Sequence, residues 1–142
     1  ASSYNEQPWR FIIGKKGEKY HERIFESLMP GNKTWNISVP LLILTMVKLT
    51  NSRDGKENMK AQHDLGLSIG NLSLQATSMG LHVHQMGGFD NEYIKTVFSI
   101  PEEFLPITVI AVGYKNENMN LSKRSRKSVD QIIYEGDWKK LY

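Results

Sequence analysis

Apolar residues along the chain follow two kinds of spacing, and the strand-like runs are the clearest. Residues 81–86 alternate apolar and polar side chains, as in a half-buried strand, and residues 9–13 form a second short β-prone run. Residues 39–48 and 107–112 are apolar without alternation. Such runs are typical of strands covered on both faces. The pattern therefore predicts four strands, two of them buried.

The remaining apolar residues recur at helical spacing. Residues 18–29 predict a helix with one apolar face, and the Pro30-Gly31-Asn32 sequence predicts its end. The longest predicted helix runs from about residue 56 to residue 79, and Gly80 follows it as a C-terminal stop. Asp90 is placed to cap one further short helix.

The longest predicted helix carries two stripes with steps of three and four residues. The apolar stripe consists of Leu65, Ile69, Leu72, Ala76 and Met79. The second stripe, one position later, consists of the small residues Gly66, Gly70, Ser73 and Thr77. Because a glycine inside a helix costs about 1 kcal/mol relative to alanine, we expect another backbone to approach this face. A second copy in a homodimer is favoured, and packing within the chain is the alternative.

Composition limits the chemistry of the chain. The 142 residues fit one domain spanning positions 1–142, and they include no cysteine. Disulfides, thiol chemistry and iron–sulfur clusters are therefore excluded, and redox chemistry would need a bound cofactor. His82 and His84 share one strand face without a third ligand at suitable spacing, so no metal site is predicted. Because no apolar run reaches membrane-spanning length and no secretory signal is visible, we expect a cytoplasmic protein without a membrane partner.

A late segment concentrates positive charge in a chain whose net charge is only +3. Its cations are Lys123, Arg124, Arg126 and Lys127. The two planar guanidinium groups suit a phosphate, whereas a solvated loop is the alternative. Nucleic-acid binding would need exposed aromatic side chains such as Tyr134, Trp138 and Tyr142 to join these cations, and we do not expect it.

Two other segments carry groups suited to a flat heteroaromatic ligand. Asn5 and Gln7 lie in a polar loop, and their side-chain amides both donate and accept hydrogen bonds. Gly87 and Gly88 follow Met86 at the end of a predicted strand. Because they lack Cβ atoms, their backbone can approach a ring closely, and Met86 adds a soft apolar contact. Either segment alone is also typical of an ordinary turn.

Taken together and in order, these motifs resemble the nitroreductase family of FMN-dependent oxidoreductases. Residues 2–11, Ser-Ser-Tyr-Asn-Glu-Gln-Pro-Trp-Arg-Phe, are similar to the family motif that precedes a strand. Further matches are Ala76 with Gly80-Leu81, then Gly88-Phe89-Asp90, then Pro106 with Gly113-Tyr114, and finally Arg126-Lys127 with Ser128 in the family's proline position. The resemblance covers nearly the whole chain, which begins after the family's N-terminal Arg-Arg-Ser-type segment.

The resemblance implies an α+β fold with a central, mostly antiparallel β-sheet flanked by helices and with FMN at a homodimer interface. The implied FMN-binding residues are Ser2, Ser3, Asn5, Gln7, Asn32, Met86, Gly87, Gly88, Arg124 and Arg126. The serines and Asn5 would line the ring and ribityl chain, residues 86–88 would meet the N5 and O4 edge, and the arginines would hold the phosphate. Asn32 and Asp64 fall near polar family positions, and no side chain is implied as catalytic.

The resemblance also implies an activity. The chain would be an NAD(P)H oxidoreductase that reduces nitroaromatics, quinones or similar electron-poor small molecules by ping-pong hydride transfer through flavin N5. NADH and NADPH both stay open as donors, and reductive dehalogenation and flavin destruction are variants of the same enzyme class. The alternative is a non-catalytic flavin-binding or degenerate relative, for which the missing N-terminal motif is an argument.

Overall fold

The computed structural model describes residues 1–116, 123–136 and 138, so residues 117–122 of the predicted basic loop and Tyr142 lie outside it. Its four strands are β1 (Trp9–Lys15), β2 (Leu41–Lys48), β3 (His82–Met86) and β4 (Phe104–Gly113). They form one sheet in the order β1-β2-β4-β3, and all three pairings are antiparallel. The predicted α+β fold with a central antiparallel sheet is confirmed.

Four helices flank the sheet: α1 (Lys19–Ser27), α2 (Pro30–Asn36), α3 (Ala61–Ser78) and α4 (Asn91–Phe98). Ile24 of α1 and Ile94 of α4 pack with Leu44 on one face of the sheet, whereas Leu65 of α3 packs with Ile43 on the other. Burial of each aliphatic side chain of this kind stabilises the folded state by about 1.5–3 kcal/mol. No helix in the described part of the chain is long and apolar enough to cross a membrane.

The central strand β2 shows why two of the predicted strands lack alternation. Every residue from 42 to 47 is buried. Leu42 and Leu44 face the cluster beneath α1 and α4, and Ile43 and Val47 face α3. Because both faces of β2 are covered by helices, both sets of side chains are apolar. The prediction of a strand covered on both sides is confirmed.

The prediction of one helix over residues 18–29, ended by Pro30, is wrong at its C-terminal end. Helix α1 stops at Ser27, and Pro30 is the first residue of α2. Proline favours the first helical position because its fixed φ suits the helix and its missing N–H would have had no partner there. This correction places Asn32 in the first turn of a helix.

Two further boundaries differ from the prediction. Helix α3 begins at Ala61 and not near residue 56, because the Asp54 and Asn58 side chains accept the Lys56 and Lys60 N–H groups, at 3.1 Å each, and hold turns. Strand β1 continues through Gly14, where a Cβ would lie 2.5 Å from the His21 backbone of α1. Gly14 therefore permits a close helix–strand contact instead of starting a turn.

The C-terminal end of α3 agrees with the prediction. Gly80 has φ +75°, and the Leu81 N–H donates to the Ala76 carbonyl oxygen at 2.9 Å. The Gly80 N–H donates to the Thr77 carbonyl oxygen at 3.0 Å. These two bonds form a Schellman motif, in which glycine supplies the left-handed conformation. This turn leads the chain directly into β3, which ends at the candidate site.

Candidate functional site

The N-terminal loop, residues 2–8, has an unusual backbone. Tyr4, Asn5 and Gln7 have φ of 50°, 56° and 47°. These values lie in the left-handed region, which residues other than glycine rarely adopt. The Ser2 hydroxyl oxygen accepts the Gln7 N–H at 3.0 Å, and Gln7 Nε2 donates to Asn5 Oδ1 at 3.1 Å. The loop therefore brings three of the predicted site residues, Ser2, Asn5 and Gln7, into one hydrogen-bonded group.

The loop is fastened to the start of α3. Ser3 donates its N–H to Asp64 Oδ2 at 2.9 Å, and His63 Nδ1 lies 3.4 Å from Asp64 Oδ1. Asp64 is only 3% exposed, although it is an acid. Its position in the first helical turn is favourable because the helix dipole stabilises negative charge there. An open concavity of about 310 Å³ lies between the two segments, lined by Ala1, Ser2, Ser3, Lys60, His63, Asp64 and Leu67.

The loop is also fastened to the connection between β2 and α3. Glu6 Oε2 accepts the Ser52 N–H at 2.7 Å, and this hydrogen bond lowers the pKa of the Glu6 carboxyl below its usual value of 4.5. The Arg53 guanidinium carbon lies 4.0 Å from the centre of the Tyr4 ring. The sequence analysis assigned no site role to Glu6, Tyr4 or Arg53. Their contacts join residues more than forty positions apart, so no local motif reveals them.

Met86, Gly87 and Gly88 form the glycine corner, where β3 ends. The Gly88 carbonyl oxygen accepts Asn32 Nδ2 and the Met29 N–H, both at 3.0 Å. A Cβ on Gly88 would lie 3.0 Å from Asn32 Nδ2, so glycine permits this contact. A Cβ on Gly87 would meet no atom within 4 Å, and the residue is exposed. The backbone of Gly87 is therefore open to a ligand.

A buried amide that the sequence analysis missed holds the corner in place. Asn36 is fully buried, and its Nδ2 donates to the Asn32 carbonyl oxygen at 2.7 Å and to Met86 Sδ at 3.1 Å. Asn36 Oδ1 has no hydrogen-bond partner in the part of the chain that the structure describes. An unpaired buried polar group destabilises the folded state by about 1–3 kcal/mol, so Asn36 at this position lowers the stability of the fold. The sequence offered no signal, since an asparagine at a helix end usually caps or turns.

The Met86 side chain does not play the part predicted for it. It is 2% exposed and lies in the core cluster on the α1 and α4 side of the sheet. A sulfur atom held there by Asn36 cannot offer a soft apolar contact to a ligand at the surface. Only the backbone of Met86 is placed to take part in a site, together with Gly87.

The structure brings the predicted residues into separate groups. The N-terminal loop precedes β1 and the glycine corner follows β3, and these are the two edge strands. Three strand spacings of about 4.8 Å separate them. Arg124 and Arg126 are exposed, and Arg126 Nη1 donates to the neighbouring Ser125 carbonyl oxygen at 3.2 Å. Among the described residues, no hydrogen bond joins either arginine to the loop or to the corner.

Comparison with known proteins assigns the chain to a family. The Nitroreductase family profile matches residues 30–114, more than half of the chain. The chain belongs to the nitroreductase family. The matched range includes Asn32, Asn36 and the glycine corner, whereas the N-terminal loop lies outside it.

Three individual proteins are similar to this chain. A crystal structure described as an oxidoreductase containing FMN is 27% identical, with a TM-score of 0.90 over 98% of this chain and 76% of that chain. The FMN reductase (NADPH) of Bacillus subtilis strain 168 is 36% identical over 73 residues, which are 50% of this chain but only 28% of the reductase. A 15.4 kDa protein of Mycolicibacterium smegmatis is 25% identical over 149 residues, covering 91% of this chain and 97% of that protein. The family, the FMN-containing structure and the FMN reductase together support an oxidoreductase that uses a flavin.

The small-residue stripe of α3 lies on an exposed face in this nitroreductase family member. A Cβ on Gly66 or Gly70 would meet no atom within 4 Å, and both glycines are exposed. Among the residues that the structure describes, no other element of the chain packs against these two glycines. Leu67 and Leu74 are 45% and 72% exposed beside them. Met79, the last residue of the predicted apolar stripe, is 62% exposed, so the buried part of that stripe ends at Ala76.

Proposed function

We propose that this chain is an FMN-dependent NAD(P)H oxidoreductase that reduces nitroaromatics, quinones or similar electron-poor small molecules. The observation that carries the proposal is the glycine corner. It presents an open backbone at Gly87 beside a Gly88 carbonyl that Asn32 holds in place, within a chain of the nitroreductase family. A cytoplasmic location and a single domain over residues 1–142 belong to the same proposal.

The donors and acceptors of the corner suit the edge of a flavin. Such an edge carries carbonyl oxygens and a ring N–H, which need both donors and acceptors. Asn32 donates from Nδ2 to Gly88, and its Oδ1 accepts no hydrogen bond from the part of the chain described. Gly87 has no side chain that would keep a flat ring away from its backbone. The residues present therefore fit FMN at this corner.

The remaining predicted residues would complete the site. Ser2, Ser3 and Asn5 would line the ring and ribityl chain, and Gln7 would hold the Asn5 amide in place through their hydrogen bond. Arg124 and Arg126 are exposed cations able to hold a phosphate by charge-assisted hydrogen bonds. These assignments rest on the chemistry of the side chains and on the family.

The protein's part in the reaction is placement. When bound, FMN supplies the redox chemistry by accepting hydride from reduced nicotinamide and passing electrons to the acceptor. The buried Asn36 network fixes the corner, so Gly87 keeps one backbone geometry. The concavity beside Ser3 is open to solvent, and we propose that the donor leaves through it before the acceptor enters. No side chain is needed as an acid, and we assign none as catalytic.

A homodimer is part of the proposal because it would unite the two groups. Within one chain, the N-terminal loop and the glycine corner lie at opposite sheet edges. The exposed apolar face of α3 offers Gly66, Gly70, Leu67 and Leu74 to a second copy. Two-fold pairing through this face would use the same patch on both copies, and we propose that it also brings the loop of one copy to the corner of the other.

The deciding experiment is a titration of the purified protein with FMN, followed in the visible spectrum and with the chromophore identified by mass. We expect saturable FMN binding, and then oxidation of NADH or NADPH when a quinone is added. Asn32→Ala should weaken the binding, whereas Asn91→Ala, at an exposed position on α4, should not. A protein that neither carries nor takes up FMN would refute the proposal. Tight FMN binding without turnover would instead identify a non-catalytic flavin-binding relative.

A further inference from the structure

Tyr4 combines a disfavoured backbone with an exposed aromatic ring. Its φ and ψ are 50° and 24°, and its side chain is among the most exposed apolar groups described, at 78%. Bulky residues rarely adopt this conformation, and such positions cluster where a protein binds ligands or switches. Burial of the ring does not compensate for the strain, so the strain has to be held by contacts elsewhere.

Those contacts fix the direction of the ring. The Arg53 guanidinium lies 4.0 Å from the ring centre, close enough for cation–π stacking over one face. Asp54 lies 3.5 Å from Arg53 Nε and restrains the guanidinium in turn. The Glu6–Ser52 hydrogen bond ties the two segments together on the same side. The Arg53 guanidinium therefore covers one face of the Tyr4 ring, and the other face is exposed to solvent.

Tyr4 lies between Ser3 and Asn5, which are both proposed to line the flavin, and Ser3 also lines the concavity next to Asp64. Electron-poor rings stack favourably on an electron-rich phenol when they are offset or tilted. A ring fixed beforehand loses little conformational freedom when a ligand binds.

We infer that Tyr4 determines acceptor specificity by stacking planar, electron-poor aromatic acceptors on its free ring face, with Arg53 as the positioning residue. The inference rests on the proposed function, since it assigns the acceptor to the same site. This role of Tyr4 differs from that of a residue that only holds the loop in place. An anchor would serve every ligand equally, whereas a stacking surface favours flat aromatic ligands.

The test measures the equilibrium dissociation constant of menadione, a planar quinone, by nuclear magnetic resonance titration of the whole chain. Tyr4→Asn removes the ring but keeps a residue that tolerates the left-handed region. Tyr4→Phe keeps the ring, and Arg53→Gln removes the covering cation. Tyr20→Asn is the matched control, because Tyr20 is a partly exposed tyrosine with Lys19 Nζ 5.0 Å from its ring centre. FMN is titrated into the same samples.

We expect menadione to bind about three- to tenfold more weakly to Tyr4→Asn, as the loss of one aromatic pair implies. Arg53→Gln should show a smaller loss, and Tyr4→Phe and Tyr20→Asn should stay within about twofold of the parent. Unchanged menadione binding in Tyr4→Asn overturns the inference, and so does an equal loss of FMN affinity, which would indicate a loop anchor. If the parent takes up no FMN, the proposed function fails and the inference fails with it, whereas unchanged menadione binding in a Tyr4→Asn variant that still binds FMN overturns the inference alone.

Discussion

The N-terminal loop and the glycine corner are both proposed to hold the same cofactor, yet they are built in opposite ways. The loop has left-handed residues at Tyr4, Asn5 and Gln7 and lies largely at the surface. The corner has unstrained glycines backed by the fully buried Asn36. One region keeps its shape through contacts with distant segments, and the other through packing and a network beneath it.

This difference indicates that the loop opens locally more easily than the corner. Local opening requires little free energy where hydrogen bonds are solvent-exposed and few apolar contacts are lost. The bonds at Gln7 and Ser52 are exposed, whereas the bond between Asn36 and Met86 is buried. We therefore expect the corner to be the fixed wall of the site and the loop to be the part that adapts to ligands.

The largest effect should come from separating the two regions. Gly70→Leu places a large side chain on the exposed face of α3, and overpacking there should weaken dimerisation by about 10- to 100-fold. FMN affinity should fall with it, because the loop and the corner would no longer meet. Sedimentation velocity and FMN titration measure the two effects. Gln75→Leu, at an exposed position on another side of α3, is the control. A dimer that survives Gly70→Leu refutes this interface.

A second effect should separate the two glycines of the corner. Gly88→Ala would place its Cβ 3.0 Å from Asn32 Nδ2, and we expect it to destabilise the fold by about 1–3 kcal/mol. Gly87→Ala would meet no atom within 4 Å, and its free energy of unfolding should change by less than about 0.5 kcal/mol. Denaturant unfolding measures both. If a ligand approaches the Gly87 backbone, this second variant should nevertheless bind FMN more weakly.

A comparable effect, but on binding alone, is expected from the basic segment. Arg126→Ala should weaken FMN binding by about 1–3 kcal/mol, because a charge-assisted hydrogen bond to phosphate would be lost. Lys56→Ala removes the same charge from an exposed loop elsewhere and should leave the affinity nearly unchanged. Fluorescence titration gives both values. Equal affinities in the parent and Arg126→Ala would remove this arginine from the phosphate site.

The smallest effect should come from acid, and it should be confined to the loop. The pKa of Glu6 is lowered below 4.5 by the Ser52 N–H hydrogen bond. Its contribution to holding the loop is therefore complete above pH 4.5 and is lost as the pH falls through the lowered pKa. The Ser52 amide resonance should shift in that range, and Glu6→Gln should abolish the transition. A resonance that stays constant down to complete unfolding would contradict this anchor.

Sequence reasoning succeeded where the signal is local or repeats along the chain. The apolar runs predicted β2 and β4 as buried strands, although β4 begins at Phe104, earlier than residue 107. The Gly80 stop was found because a left-handed C-terminal turn needs glycine whatever surrounds it. Pro30 was misjudged because proline is favoured both after a helix and at its first position, and only the packing of α2 decides between them.

For the site, the sequence by itself determined which residue types are available, the family to which the chain belongs and the strand that ends just before Gly87. Only the tertiary structure decided which of them meet. It joined Ser3 to Asp64 and Asn32 to Gly88, buried the Met86 side chain, and set the two groups at opposite sheet edges. The physical reason is that these contacts join residues more than fifty positions apart. Their formation depends on how the strands order themselves and on which face each helix covers, and no local pattern encodes either choice.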